Sequence, residues 1–137
     1  MDRILILAGG YSNEREISLI TAKSVIHELK KNKKYRILLI EPDGSFVKKL
    51  RKFKPNLVLN LLHGRYGEDG YIQSILESEK VKYSHSGVLS SSLAIDKELS
   101  KKIFIKNNIL TPRYIKFSFQ NKFNKKNIIK KIDKYLK

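Results

Sequence analysis

The 137-residue chain has no cysteine, which excludes disulfides, thiolate metal sites and thiol nucleophiles together. It lacks any apolar run near the roughly 18 residues that a membrane helix needs, so no spanning segment and no membrane role are expected. The start, Met1-Asp2-Arg3, leads into a short apolar run and then Gly9-Gly10, without the small-residue cleavage pattern of a secretory leader. A cytoplasmic protein is the expectation. Acidic residues are scarce as well: 13 Asp and Glu stand against 29 Lys and Arg, for a formal charge of +16.

That charge first suggests nucleic acid, but its distribution argues otherwise. Residues 1–100 hold 17 basic and 12 acidic residues, a net of +5, whereas residues 101–137 hold 12 basic and 1 acidic, a net of +11. The excess is mostly Lys in the last quarter, without the Arg used for bidentate base reading, and the aromatics there, Phe117, Phe119, Phe123 and Tyr135, have no Gly-rich or Arg-rich context. No nucleic-acid partner is therefore expected. Hydrophobic residues make up 41%, enough for one modest core.

Arg3–Ala8, Tyr35–Ile40 and Leu57–Leu62 are short continuous apolar runs, each ended by turn residues, and read as buried strands. Between the first two, Ala22, Val25, Ile26 and Leu29 share one helical face, and Asn13 with Glu16 has the spacing of a capping box. Alternating strand and helix with continuous hydrophobicity predicts an α/β fold with a Rossmann-like parallel sheet covered on both faces. Further on, Tyr71–Glu79 reads as a helix, Val81–Ser84 as a short strand, and Val88–Ile95 as a segment of small residues. Asp96 caps a helix from Lys97 to Asn107, Arg113–Phe119 alternates as a strand, and Lys125–Leu136 carries an amphipathic stripe of Ile128, Ile129, Ile132 and Leu136.

Ligands of open α/β sheets bind beyond the carboxyl ends of the strands. Two loops lie there. Gly9–Glu16 (GGYSNERE) joins the first strand to its helix; it is not G-x-G-x-x-G and has no P-loop Lys-Ser/Thr, so a tight turn and an anion- or ligand-facing loop both remain open. His63–Gly70 (HGRYGEDG) leaves the third strand with three glycines in a loop shaped by backbone geometry. His63 is either a satisfied half-buried histidine or a group delivered into the crevice. Glu68-Asp69 reads as a capping pair rather than a metal site, because adjacent side chains diverge.

Gly9-Gly10-x-Ser12-x-Glu14-Arg15-Glu16-Ile17-Ser18, Leu62-His63-Gly64-x-x-Gly67-Glu68-Asp69-Gly70-x-x-Gln73, Ser86-Gly87-Val88, Asp96-Lys97 and Thr111-Pro112 occur in that order. Together they resemble the start of a D-alanine–D-alanine ligase, over Arg3 to about Pro112. The family consists of ATP-grasp enzymes that join two D-alanines through a D-alanyl phosphate in peptidoglycan synthesis. The resemblance implies a pre-ATP-grasp substrate domain over residues 1–96 and the beginning of an α+β ATP-grasp central domain over 97–137.

By the same resemblance, Glu14 matches the carboxylate that holds the first D-alanine's ammonium group and anchors a catalytic hydrogen-bond chain. Ile17 matches a position lining the methyl pocket, His63 a residue near the first substrate and the acyl phosphate, and Lys97 a lysine that reaches the nucleotide phosphates. ATP and Mg²⁺ are the implied cofactors, although the family's acidic Mg²⁺ ligands, glycine-rich phosphate loop and later catalytic groups have no counterpart in these 137 residues. Phosphoryl transfer depends on such groups, so the chain alone is expected to be inactive. D-Alanine is the expected ligand, and a second copy or a polypeptide carrying the ATP-grasp half the expected protein partner. The alternative is a non-catalytic binding or interaction module. His85 departs from the family pattern by placing a bulky polar residue where the backbone is ordinarily tight.

Overall fold

The computed structural model describes residues 1–116 and 125–136. The chain divides into two compact units, Met1–Asp96 and Lys97–Lys137.

The first unit is built on three parallel strands, β1 (Asp2–Leu7), β2 (Tyr35–Ile40) and β3 (Leu57–Asn60), in the order β2-β1-β3. The register pairs Ile4 of β1 with Ile37 and Leu57, and Leu7 with Ile40 and Asn60, so the three strands end level. Alternation along β1 divides the core between the two faces. Leu5 and Leu7 join Ile40, Phe46, Leu50, Val58, Ile72 and Leu76 on one side. Ile4, Ile6 and Ala8 meet Ala22 and the inner face of α1 (Arg15–Lys30) on the other. The predicted doubly covered parallel sheet is what forms.

Helix α2 (Phe46–Phe53) crosses from β2 to β3, and α3 (Tyr71–Ser78) follows β3 on the same face. The sequence pattern does not announce α2, because Lys48, Lys49, Arg51 and Lys52 dominate its composition. Yet Phe46 and Leu50, one helical turn apart, are both buried. At roughly 1.5–3 kcal/mol per buried side chain, two anchors outweigh the poor intrinsic pattern of so short a helix. Val88–Ile95 also forms a helix, α4, where the sequence shows only a run of small residues; its small Ser91 is buried.

Two local expectations change. Asn13 does not cap α1: Glu14 holds the cap position without a side-chain cap bond, and the Ser12 hydroxyl accepts the Glu14 N–H at 3.1 Å. Val81–Ser84 is not a strand. It makes one parallel bridge, Val58 to Tyr83, with hydrogen bonds of 2.8 and 2.9 Å on either side. Lys80 and His85 flank it at φ of 55° and 94°, left-handed backbone that turns the chain out of the sheet at both ends.

The second unit contains α5 (Lys97–Lys106) and α6 (Lys125–Leu136), as the patterning predicted within one residue. Glu98 of α5 pairs with Lys102 and Lys116, and these two ammonium groups hold its carboxyl down to about 2. Lys101 donates to the Thr111 hydroxyl at 3.0 Å and the Pro112 carbonyl at 2.6 Å. The strand expected over Arg113–Phe119 does not form in residues 113–116, and its remainder lies outside the described residues. No helix among the described residues is long and apolar enough to cross a membrane.

Candidate functional site

The two polar loops leave the carboxyl ends of β1 and β3, which are adjacent strands. The first loop turns at Gly9 and Gly10, with φ of 83° and 84°. The Gly9 N–H donates to the Ser18 hydroxyl at 2.8 Å, and that hydroxyl donates to the Leu61 carbonyl at 2.6 Å. Ser18 is fully buried on α1 and so ties both loops to the helix. Sequence reasoning assigns it no role; its spacing of one turn from Glu14 is the available signal.

Outside this turn, Arg15 donates from Nε and Nη2 to the two Glu41 oxygens, at 2.5 and 2.8 Å. This fork holds the Glu41 carboxyl below its usual range and raises Arg15 further. A Cβ on Gly9 would lie 2.6 Å from the Glu41 side chain, so the fork closes over a position where only glycine fits.

The second loop is held almost wholly by backbone capture. Gly64 donates to Glu68 Oε2 and Tyr66 to Asp69 Oδ2, each at 2.8 Å, and Asp69 Oδ1 accepts from Tyr71 at 3.1 Å. Glu68 and Asp69 therefore tie down loop amides. Among the described residues, no group of three or more His, Cys, Asp and Glu side chains could hold a metal ion. Asn60 and Gln73, both buried, donate to the Gly67 carbonyl at 2.8 and 2.9 Å from beneath. His85, left-handed as noted, brings Nδ1 to 3.2 Å from Asn60 Nδ2, so the departure from the family pattern is absorbed into this network.

The loops meet at Glu14 and Gly64. A Cβ on Gly64, where φ is 67°, would come within 2.8 Å of Glu14 Oε2, which places the carboxylate directly against the residue after His63. His63 is half-buried, with Nδ1 3.8 Å from Glu68 Oε1 and with Nε2 buried and without a hydrogen-bond partner. An orphaned ring nitrogen costs the desolvation of that group, which a hydrogen-bonding ligand or water offsets. Beside it lies a cavity of about 40 Å³, lined by Gly9, Gly10, Tyr11, His63, Tyr66 and Tyr71 among others. At about 10–15 Å³ per water, that space suits a few waters or a small polar molecule.

Ile17 does not join this group. It lies in the first turn of α1, 57% exposed; like Glu14 it does not line the cavity, and unlike Glu14 it does not approach Gly64. Lys97 belongs to the second unit, where it opens α5 and is exposed.

Comparison with known proteins adds an independent finding. Residues 3–57 match the family described as D-ala D-ala ligase N-terminus. The chain is 60% identical over 135 residues to a D-alanine–D-alanine ligase of Pelagibacter ubique, an alignment covering 98% of this chain and 43% of that protein. It is 43% identical over 122 residues to the ligase of Carboxydothermus hydrogenoformans, covering 89% and 39%. Among solved structures, the Bacillus anthracis D-alanine–D-alanine ligase complexed with ATP superposes with a TM-score of 0.76 at 35% identity, over 95% of this chain and 44% of that one. The chain thus spans about two-fifths of the length of the curated relatives it matches.

Proposed function

The chain shares its sequence and its fold with the amino-terminal portion of the D-alanine–D-alanine ligase family, and from that premise we propose that it supplies the part of such a ligase that binds the first D-alanine. The observation that carries this reading is the approach of the Glu14 carboxylate to Gly64, beside a half-buried His63 whose Nε2 lacks a partner.

A free amino acid offers an ammonium donor and a carboxylate acceptor a few ångströms apart. Glu14 accepts from the ammonium group as a charge-assisted hydrogen bond. His63, if it carries its ring proton on Nε2, donates to the carboxylate or to the negative charge that develops there during acyl activation. The absence of a side chain at Gly64 leaves the Glu14 carboxylate room beside the residue that follows His63. ATP, when bound, supplies the phosphoryl group that activates that carboxylate, and Lys97 is suited to its phosphates as a mobile ammonium group. Ile17, exposed in the first turn of α1, is available to the methyl group of the substrate. The complete reaction requires groups downstream of those present here, in the same polypeptide or in a partner.

The test is a chimera in which residues 1–112 replace the matching segment of the Pelagibacter ubique ligase, assayed by release of ADP and of D-alanyl-D-alanine. The exchanged enzyme is expected to ligate D-alanine. Glu14→Gln in it is expected to lower kcat/KM roughly tenfold to hundredfold, the effect of losing one charged hydrogen bond. A folded chimera whose ligation is unchanged by Glu14→Gln would refute the assignment.

A further inference from the structure

The opposite end of the same sheet carries a feature that the ligase reading leaves unused. Arg3 and Arg36 are register partners near the amino ends of β1 and β2, so both side chains leave the sheet on the α2 face. There they meet the second half of α2 and its left-handed cap residue Lys54, forming a groove of about 500 Å³ with Lys49, Lys52 and Phe53. Five cations line one concavity. Among the described residues only Lys49 has a carboxylate partner, Asp43, at 2.9 Å.

The helix end accounts for part of this charge. Arg3 Nε donates to the Lys54 carbonyl at 2.6 Å, satisfying a terminal acceptor, and the guanidinium of Arg36 lies 5.8 Å from the Phe53 ring centre. A helix carboxyl end presents only about half a negative charge. Four cations therefore remain against roughly half a charge, held in a concave site that focuses their field. The two guanidinium groups offer the fork geometry that matches phosphate oxygens, and the lysines add mobile point charges around them.

We propose that this groove is an anion site for a ligand carrying two or more linked phosphate groups. At a rise of about 3.3 Å per residue it lies about 20 Å along β1 from Gly9, so its occupant does not touch the cavity beside His63. The proposal is independent of the ligase reading.

The 137-residue chain, labelled with ¹⁵N, is titrated with tripolyphosphate, with ATP and with a short single-stranded oligonucleotide at low ionic strength. The expected result is saturable one-site binding of tripolyphosphate, with amide shifts confined to residues 3, 36–38 and 49–54. Lys52→Glu, and Arg36→Glu combined with Lys52→Glu, are expected to weaken it progressively, the pair by at least about tenfold. A control pair on the other face of the sheet, Lys23→Glu with Lys30→Glu, carries the same charge change and is expected to leave it nearly intact. ATP binding as tightly as tripolyphosphate assigns recognition to the phosphate chain, and tighter ATP assigns a nucleotide; both support the site. Shifts spread over the lysines without saturation, an equal loss in the control pair, or tighter binding of the oligonucleotide would overturn it.

Discussion

At the scale of single residues, Gly64 is the position on which the site turns. Its φ of 67° and the 2.8 Å approach of Glu14 Oε2 leave no room for a Cβ. Gly64→Ala is expected to push the Glu14 carboxylate aside and to strain the loop by about 1 kcal/mol or more. In the chimeric ligase this appears as a raised KM for the first D-alanine with the fold retained by circular dichroism; an unchanged KM would mean that Glu14 does not hold the substrate. Asp43 gives a second residue-level prediction. It accepts from the Ser45 hydroxyl and amide and from Lys49, and these bonds, the Ser45 hydroxyl first, hold its carboxyl down to about 2. A carboxyl depressed in the folded state contributes stability that is present above its ordinary value near 4 and is lost as pH falls towards about 2. Asp43→Asn is expected to remove that component of the acid sensitivity. A carboxyl ¹³C titration of Asp43 centred near its ordinary value of about 4 would show that these bonds do not hold.

At the scale of elements, α2 shows how few residues specify a crossover. Its apolar positions Phe46, Val47, Leu50 and Phe53 follow helical spacing, but its Lys and Arg content drowns that signal in a composition reading. Contact with β1, β2 and β3 through the shared core makes the pattern effective. Leu50→Ala is expected to cost about 2–5 kcal/mol in urea unfolding, the penalty of a buried cavity. A loss below about 1 kcal/mol would mean that α2 is only loosely docked, since that is the range of exposed sites. The α1 start teaches the converse. Asn13 and Glu16 have capping-box spacing, yet Ser12 and Glu14 occupy the turn, because the Gly9-Gly10 geometry and the buried Ser18 decide where the first helical turn falls.

At the scale of the whole molecule, the two units differ in what they bury. The first, Met1–Asp96, contains the buried hydrophobic core. In the second, Leu99, Ile103, Phe104, Ile105, Ile109 and Leu110 are exposed, Leu110 at 99%. Apolar side chains concentrated in this way, on the stretch that also carries most of the net positive charge, favour association when ionic strength screens the repulsion. The 137-residue chain is expected to associate increasingly with salt in light scattering, and residues 1–96 alone to stay monomeric with a dispersed amide spectrum. A salt-independent monomeric mass for the longer chain would count against an unsatisfied surface in the second unit.

The amino-acid order by itself determined the parallel α/β character, the three strands and the two glycine-rich loops, because buried parallel strands need continuous apolar runs and their ends need residues that can turn. It also carried the family likeness, since those loops are ordered motifs. Which groups meet was decided only in three dimensions. Sequence separates Glu14 from Gly64 by fifty positions, Arg15 from Glu41 by 26, and Arg3 from Arg36 by 33. Strand order β2-β1-β3 and parallel register bring each pair together, at the carboxyl edge for the first two and at the amino edge for the third. Side-chain periodicity reports which face a residue takes, but the neighbour across that face is set by strand pairing, which no local pattern encodes.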